Sequence, residues 1–551
     1  MTPFTPASLR GARPAFLLDL EFAGRTWHIA TDPIGLSSDN GPILYSGGLD
    51  LRSLSESFDR LDTQPSSQSV TLSAELPEGA SVLDLLARGH RLARCRASVA
   101  MVYVDADGDP VAMPDGTSQT WERRMVLLSG RVMEPQIGLI DKSARWFGCS
   151  IRENLWEDRG RIIPAVWRIT STTWPTASAG NIGKVYPLVF GSPGRLGAGV
   201  DTLKGSPAYA VETSGGSATT LLIAGHSVAA TSITVSDADG SQDVFTVSHR
   251  ADALGNVCAV VDVTGATGTF DRTGSEFWVA WGPSALSNGG PSLVDTARAQ
   301  TVTGLGSLLA YLLQRSTIPV DYGRCETARR QLDRIEIGGY VNDPDAKPWD
   351  YIADELLPLA PMSVRRGPEG VYPLPRFDIP LPAGLPSIVE SADFRRLIVQ
   401  YEDPDPLASV EVPYVVSSIV PLAVRWVQAS VLTSGDTLVS GSALLASPGS
   451  DGRTERKQSG LLWTRAAADA VAVGAILAHP LEVVTVTYSA AHHFGWLSPG
   501  DWVAVTDDDT DRGLYWTDRV GQVVSREWDG TAWAFSLVFE IRSFARPRRF
   551  G

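Results

Sequence analysis

Cysteine is scarce in this chain: Cys95, Cys149, Cys258 and Cys325 lie far apart, and no two form a CxxC pair. Buried free thiols, made in a reducing cytosol, are the reading that this spacing supports. Long apolar runs are missing too. None reaches the ~18 residues that a membrane span requires, so stable membrane insertion is not expected. The first apolar stretch, residues 15–18 (AFLL), is cut short by Asp19 and Glu21 with no small-residue cleavage site behind it. No export signal is read there, and synthesis in the cytoplasm is expected. Catalytic signatures are equally sparse, with no HExxH, no GxSxG elbow and no GK[ST] phosphate loop.

A surplus of positive charge is also lacking. With 47 Lys and Arg against 62 Asp and Glu, the formal net charge is −15. That balance excludes a generic DNA-wrapping protein, whose affinity for phosphate comes from clustered cations. It suits a surface past which nucleic acid slides without sticking, and it suits ordinary solubility as well.

What the chain does have is apolar material and turn formers. It is 43% hydrophobic, with 52 Gly, 36 Pro and 16 Trp among 551 residues. At ~150 residues per domain that length makes three or four domains. Runs of Val and Thr punctuated by Gly and Pro favour strands over long helices. A mainly β fold with short helices (α+β) follows.

Residues 16–22 and 26–30 flank the turn at 23–25 in a hairpin pattern, and 69–76 alternates as a half-buried strand does. Ser81 caps a predicted helix over 82–94, with Val82, Leu85, Leu86 and Leu92 as its apolar positions. Strands at 97–104 and 121–130 complete a first barrel domain, 1–160. A connector rich in Trp and Pro spans 161–200. Residues 201–291 shift to small side chains, with strands at 231–235, 243–247, 258–263 and 276–281, which reads as a small all-β insertion. Residues 292–389 hold three short helices (305–314, 325–335 and 349–359) and a hairpin at 361–378. In the last helix Asp350, Asp354 and Glu355 suit the positive end. Residues 390–551 return to strands around one helix at 459–477. Both ends therefore read as strands, one helix, then strands. Two similar barrels and two unrelated β domains are both compatible with that pattern.

Residues 186–191 (YPLVFG), in the segment opening at Gly183, resemble a segment following the first β domain in tail hub (baseplate hub) proteins of long-tailed bacteriophages. Residues 349–358 (WDYIADELLP), followed by 366–374 (RGPEGVYPL), look like that family's helix-then-hairpin. Residues 497–505 (LSPGDWVAV) are similar to the strand-entry turn of its last barrel. The resemblance implies a homotrimer in which two tube-like barrels per chain build a pseudo-sixfold ring. The partners it implies are a distal tail protein continuing the tube, a tape-measure protein ending in the lumen, and a central tail fibre or spike. DNA would pass transiently without specific binding. The implied place is the virion tail tip and the implied role is structural; with no catalytic constellation among the residues, no cofactor and no enzyme activity are expected. Some hub relatives carry a peptidase or lysozyme-like insertion, but 201–291 shows no evident catalytic set.

Several clusters invite a chemical reading. Residues 105–109 (DADGD) and 237–240 (DADG) resemble the start of a Ca²⁺ loop, yet neither has Glu at the twelfth position, and Asp-Gly is a favoured hairpin turn. Residues 507–511 (DDDTD) are richer in carboxylates but read as a solvated loop. His492 and His493 are adjacent, so on a strand they point to opposite faces and do not easily share a metal. His226 is a candidate base with Asp237 or Asp239, but no matched nucleophile accompanies it. Carboxylate pairs for glycoside cleavage leave no local pattern. Trp426, Trp502 and Trp533 fall within strands, where packing is the simpler account than a sugar cleft. Residues 191–197 (GSPGRLG) read as a linker. Arg88, His90, Arg91, Arg94 and Arg96 form a basic cluster that suits an acidic neighbour such as the distal tail protein, or a solvated face. The tail 542–549 (RSFARPRR) suits a docking arm or a frayed end. No catalytic, cofactor-binding or metal residue is assigned. The function expected is a structural hub. A tail-associated wall-degrading enzyme and a carbohydrate-binding adhesin are the alternatives.

Overall fold

The computed structural model describes residue 9 and residues 11–57, 69–77, 79–114, 116–138, 146–152, 160–194, 205–274, 277–281, 293–295, 300–360, 362–367, 370–375, 385–389, 394–402, 409–414, 425–431, 438–440, 454–456, 459–478, 482–490, 494–506, 516–530 and 534–543. The chain opens with β1 (Arg13–Phe22), β2 (Arg25–Ala30), β3 (Ile34–Leu36), β4 (Ile43–Tyr45), β5 (Leu49–Ser57) and β6 (Ser69–Glu75). Helix α1 (Val82–Ala87), β7 (Arg96–Val104), β8 (Met125–Gly138), β9 (Trp146–Arg152) and β10 (Leu188–Phe190) follow. Next come β11 (Ser206–Ser214), β12 (Ser217–Ala224), β13 (Ser232–Ser236), β14 (Gln242–Ala251), β15 (Val257–Asp262) and β16 (Phe277–Ala280). The middle holds β17 (Val294–Asp295), β18 (Gln300–Thr301), α2 (Leu305–Leu313), α3 (Tyr322–Leu332), β19 (Gly339–Val341), α4 (Pro348–Tyr351), β20 (Met362–Gly367) and β21 (Gly370–Pro375). The remainder gives β22 (Ser387–Val389), β23 (Phe394–Glu402), β24 (Ser409–Tyr414), β25 (Arg425–Val431), β26 (Leu438–Ser440), β27 (Thr454–Arg456) and α5 (Arg465–Ala478). It closes with β28 (Glu482–Ala490), β29 (Trp502–Thr506), β30 (Arg519–Asp529) and β31 (Ala534–Ser543). The protein is mainly β, with short helices. Among the described residues no helix is long and apolar enough to cross a membrane.

Alternation of side chains builds the main sheet. In β1, Phe16, Leu18, Leu20 and Phe22 enter one core, while Ala15 and Leu17 enter another on the opposite face. Thirteen strands join, in the order β2-β1-β7-β8-β9-β6-β5-β30-β31-β28-β23, with β29 beside β30 and β22 parallel to β29. The step from β5 to β30 unites the opening and closing regions, pairing Ser53 with Asp529 through to Ser57 with Ser525. The leading half of β30 pairs with β29 instead, and a register shift between Val523 and Ser525 separates the two halves. The sheet curls, so that Phe16 of β1 meets Trp528 of β30 at 4.8 Å, and Trp528 meets Phe535 of β31 at 4.9 Å between ring centroids. One apolar core thus draws on both ends of the chain. The two end regions, read from sequence as two tube-like barrels, are therefore continuous with each other. Among the described residues the sheet that closes on itself lies elsewhere, in β11-β12-β15-β14-β13-β16.

Inside the joint sits an ion pair. Arg526 and Glu56 are 1% and 3% exposed, and Nη2 of the arginine donates to the glutamate carboxylate. Its Nη1 donates to the Gly495 carbonyl at 2.7 Å, and Trp528 Nε1 donates to the Leu51 carbonyl at 3.1 Å.

The connector ties three cores together. Tyr186 packs with Tyr209 and Leu222, Val189 enters the closed barrel, and Leu188 and Phe190 face the helical core of α2 to α5. Gly191 ends the run with φ of +60°, and a Cβ there would stand 1.8 Å from the Ile337 carbonyl oxygen, so no other residue fits.

Helix boundaries moved for identifiable reasons. Ser81 does cap α1, its hydroxyl accepting from Asp84 N at 3.2 Å, but the helix stops at Ala87 before the left-handed Gly89, and Leu92 is buried from the following loop. Helix α3 begins earlier than expected because Asp321 caps it, accepting from Arg324 N at 3.0 Å. The stretch read as one helix over 349–359 is a short α turn, a π turn over Ile352–Leu356 and a 3₁₀ turn over Leu357–Leu359. Helix α5 starts only after Thr464, whose hydroxyl accepts from Ala467 N at 3.2 Å.

Removing one partner of the buried pair strands the other. Arg526→Ala is expected to lower unfolding free energy by about 3–5 kcal/mol, whereas a double Glu56→Leu, Arg526→Met variant recovers most of that loss. Urea unfolding followed by Trp fluorescence checks both, and an unchanged midpoint for Arg526→Ala contradicts the assignment.

Candidate functional site: the polar face of the sheet

Opposite residues in an antiparallel ladder point to the same side, so the register of the main sheet draws rows across it. One row runs from Arg96 to Arg131 to Arg152, continues at the register positions of Ser69 and Ser55, and reaches Glu527 and Ser536. A neighbouring row joins Ser150, Thr71, Ser53 and Asp529. Ser98 and Ser129 share a hydrogen bond of 2.9 Å beside them. The alternate residues of the same strands, Val70, Leu72, Leu54, Val132, Ile151 and Trp528, fill the shared core. The sheet therefore has one dry face and one lined with hydroxyls and charges.

At the β1–β7 end this outer face is covered. Asp19 accepts from Arg124 Nη2 at 2.8 Å and from the Tyr45 hydroxyl at 2.8 Å, and it lies 2.6 Å from His28 Nδ1. The Arg124 guanidinium stacks 4.0 Å from the Trp121 ring. Burial, then the Asp19 charge, holds the Tyr45 phenol well above its ordinary range, so it stays a donor. These bonds fasten the β3–β4 hairpin and the 121–124 turn onto β1. Residues 121–124 were expected to begin a strand and instead form that turn.

Among the described residues the clusters singled out from sequence do not converge. Asp105 Oδ1 accepts from the backbone of Asp107 at 2.9 Å and Asp109 at 3.0 Å, which makes a hairpin turn. Asp237, buried, accepts from Ser241 N at 2.8 Å and from Asp271 N at 2.7 Å. Among the described residues no group of three or more His, Cys, Asp or Glu is placed to hold a metal. The pair His492–His493, residues 507–511, Trp533 and tail residues 544–549 lie outside the described residues. Of 191–197, the part to Gly194 is described: Gly191 N donates to Val302 O at 2.9 Å, and Pro193 O accepts from Trp281 N at 2.9 Å. All four cysteines are free, and burial pushes the Cys149 and Cys258 thiols up to about 12.

His226 is committed to structure. Its Nε2 accepts from Val189 N at 3.0 Å, which requires the proton on Nδ1, and Nδ1 faces the Ser227 carbonyl at 2.9 Å. It bonds neither Asp237 nor Asp239, so the proposed base–acid pairing does not form. Burial pushes its pKa down to about 4.

The basic cluster is the one sequence candidate that the fold enlarges. Arg88, His90, Arg91, Arg94 and Arg96 are exposed. Arg94 N donates to Val132 O at 2.7 Å, and Arg131 Nη1 donates to Arg94 O at 3.0 Å, which brings Arg131 and then Arg152 alongside. No local pattern groups Arg131 and Arg152 with the others, because strand register alone unites them.

No protein family model and no curated protein matches this sequence. Among solved structures the chain is similar to the 43 kDa tail protein of prophage MuSo2 from Shewanella oneidensis, at 7% identity over 96% of each chain with a TM-score of 0.32. It is similar to a chain of a native gene transfer agent virion at 13% identity, covering 70% of this chain and 90% of that one, with a TM-score of 0.34. A chain of a PdpA–VgrG complex is similar at 8% identity, covering 97% of this chain and 65% of that one, with a TM-score of 0.27. Likenesses this distant carry neither a fold nor an activity across to this chain.

The His226 bond sets a pH dependence. Its folded pKa of about 4 lies below the ordinary 6.5, so the unfolded chain takes up the proton first. The stabilisation is complete above pH 6.5 and is lost as pH falls toward 4. Thermal melts over that window should fall for the natural protein and fall less for His226→Gln, which starts lower; equal slopes would remove His226 as the cause.

Proposed function

We propose that the protein is a structural, non-catalytic hub of a phage tail tip. It forms a trimeric ring that joins the tail tube, through a distal tail protein, to a central fibre or spike. DNA passes through the ring, and the tape-measure protein ends in its lumen. The observation that carries this reading is the shared sheet: the two ends of one chain supply adjoining β segments with a dry face inside and a polar face outside. A wall of that construction presents hydroxyls and charges to a water-filled channel while its strands pack against a core. The hub-like segments at 186–191, 349–358, 366–374 and 497–505 support the same reading. The sheet also has ends that can take a neighbour. Among the described residues β23 has no strand beyond it, and β2 is met on its outer side only at Ser46. Edges of this kind pair with another chain, and a head-to-tail contact that closes makes a ring.

A structural role also fits the described candidates: the Asp105 and Asp237 carboxylates are spent on backbone turns and the His226 ring on the Val189 N–H. The virion tail tip is the proposed location, after synthesis in the host cytoplasm. Native mass spectrometry of the purified chain should give the mass of three copies. A monomer at every concentration would sink the hub reading, and cell-wall cleavage or glycan binding by that monomer would point to the enzyme or adhesin.

A further inference from the structure

We infer that the row Arg96, Arg131 and Arg152 is a sequence-independent contact for the phosphate backbone of duplex DNA. The inference rests on the hub reading, which places a polyanion beside the polar face, and it adds a site to that reading. Three observations carry it. First, the register sets three guanidinium-bearing residues directly opposite one another on β7, β8 and β9, all on the outer face. Like charges so placed oppose the pairing of their strands, so the row needs a reason other than the stability of the sheet. Second, Arg96 and Arg152 are exposed and make no ion pair among the described residues. Arg131 is half-buried and bonded to the Arg94 carbonyl, which holds it in the row. Arg88, Arg91 and Arg94, also exposed, extend the positive surface beyond the strand ends.

Third, the spacing is regular. Neighbouring strands are ~4.8 Å apart, so the row spans about 10 Å. Both strands of a duplex together place a charge every ~1.7 Å of axis, so a row of that length lies against several phosphates. A periodic row of cations suits a polymer of repeating charge better than it suits the isolated carboxylates of a folded acidic protein. Arginine adds a fork that meets phosphate oxygens in pairs. The chain remains acidic as a whole at −15, so the contact is local. It yields to salt, as a surface that passes DNA requires.

The test uses the full-length chain and a short fluorescent duplex of random sequence, with Kd read by anisotropy over a series of NaCl concentrations. Each lost phosphate contact lowers the salt slope by about 0.9. Arg96→Gln with Arg152→Gln should reduce it by about 1.8, and the triple variant including Arg131→Gln by about 2.7, with thermal melting not lowered in the double variant. An unchanged slope in well-folded variants overturns the assignment. So does a natural protein that ignores the duplex but binds polyglutamate through the same arginines, which would make an acidic protein segment the occupant. Native masses on the same samples separate the two ideas. Arginine-dependent DNA binding by a monomer keeps the site and removes the ring, while a trimer indifferent to these substitutions keeps the ring and removes the site.

Discussion

Glu56 and Arg526 are separated by 470 residues of chain and lie side by side in a region from which water is excluded. The register that joins the two ends of the chain turns on that meeting. Here β30 sits on β5 and closes one wall of the core around Phe16, Trp528 and Phe535. The pair is better understood as a device of register than as a source of net stability, since desolvating two charges offsets most of their attraction. A one-residue slip of β30 would send Arg526 to the polar face and leave Glu56 buried and alone. The alternation of Arg526 and Trp528 inward with Glu527 and Asp529 outward makes the correct register the only dry one.

A joint between distant strands is entropically less demanding than its separation suggests, because loop closure grows with the logarithm of length, by ~0.6 kcal/mol per doubling. The intervening chain also folds into bodies of its own. The closed barrel and the helical core shorten the effective loop, and the 186–191 segment fastens both to one line of backbone. Its alternate side chains enter different cores, which explains why the segment needs Tyr, Leu, Val and Phe in that order. The backbone approach at Ile337 explains the glycine at its end. The segment is therefore a structural coupler, and its Val189 N–H holds the candidate His226 in place.

Local order was legible in the sequence wherever it was governed by local chemistry. The β1–β2 hairpin, the Ser81 cap, the small-residue strands of 201–291 and the 361–378 hairpin all follow from alternation, caps and turn formers. Legibility ended at strand pairing. Nothing in residues 525–529 names residues 53–57 as their neighbours, and nothing joins Arg152 to Arg96, because period-two alternation specifies a face and leaves the partner open. The pairing of His226 with an aspartate failed for a related reason. A histidine next to a glycine looks available in sequence, yet here its ring supplies the acceptor that the Val189 N–H lacks.

The same limit explains why a search for catalytic motifs finds so little. A cleft enzyme concentrates its polar side chains, with perturbed titration and convergent geometry, in one place. Here the polar side chains are laid out in rows across strands, one or two from each, with their apolar neighbours turned into the core. Such an arrangement spreads polar groups over the described face at the fixed interval of the strands. It can present a long, even, hydrated surface.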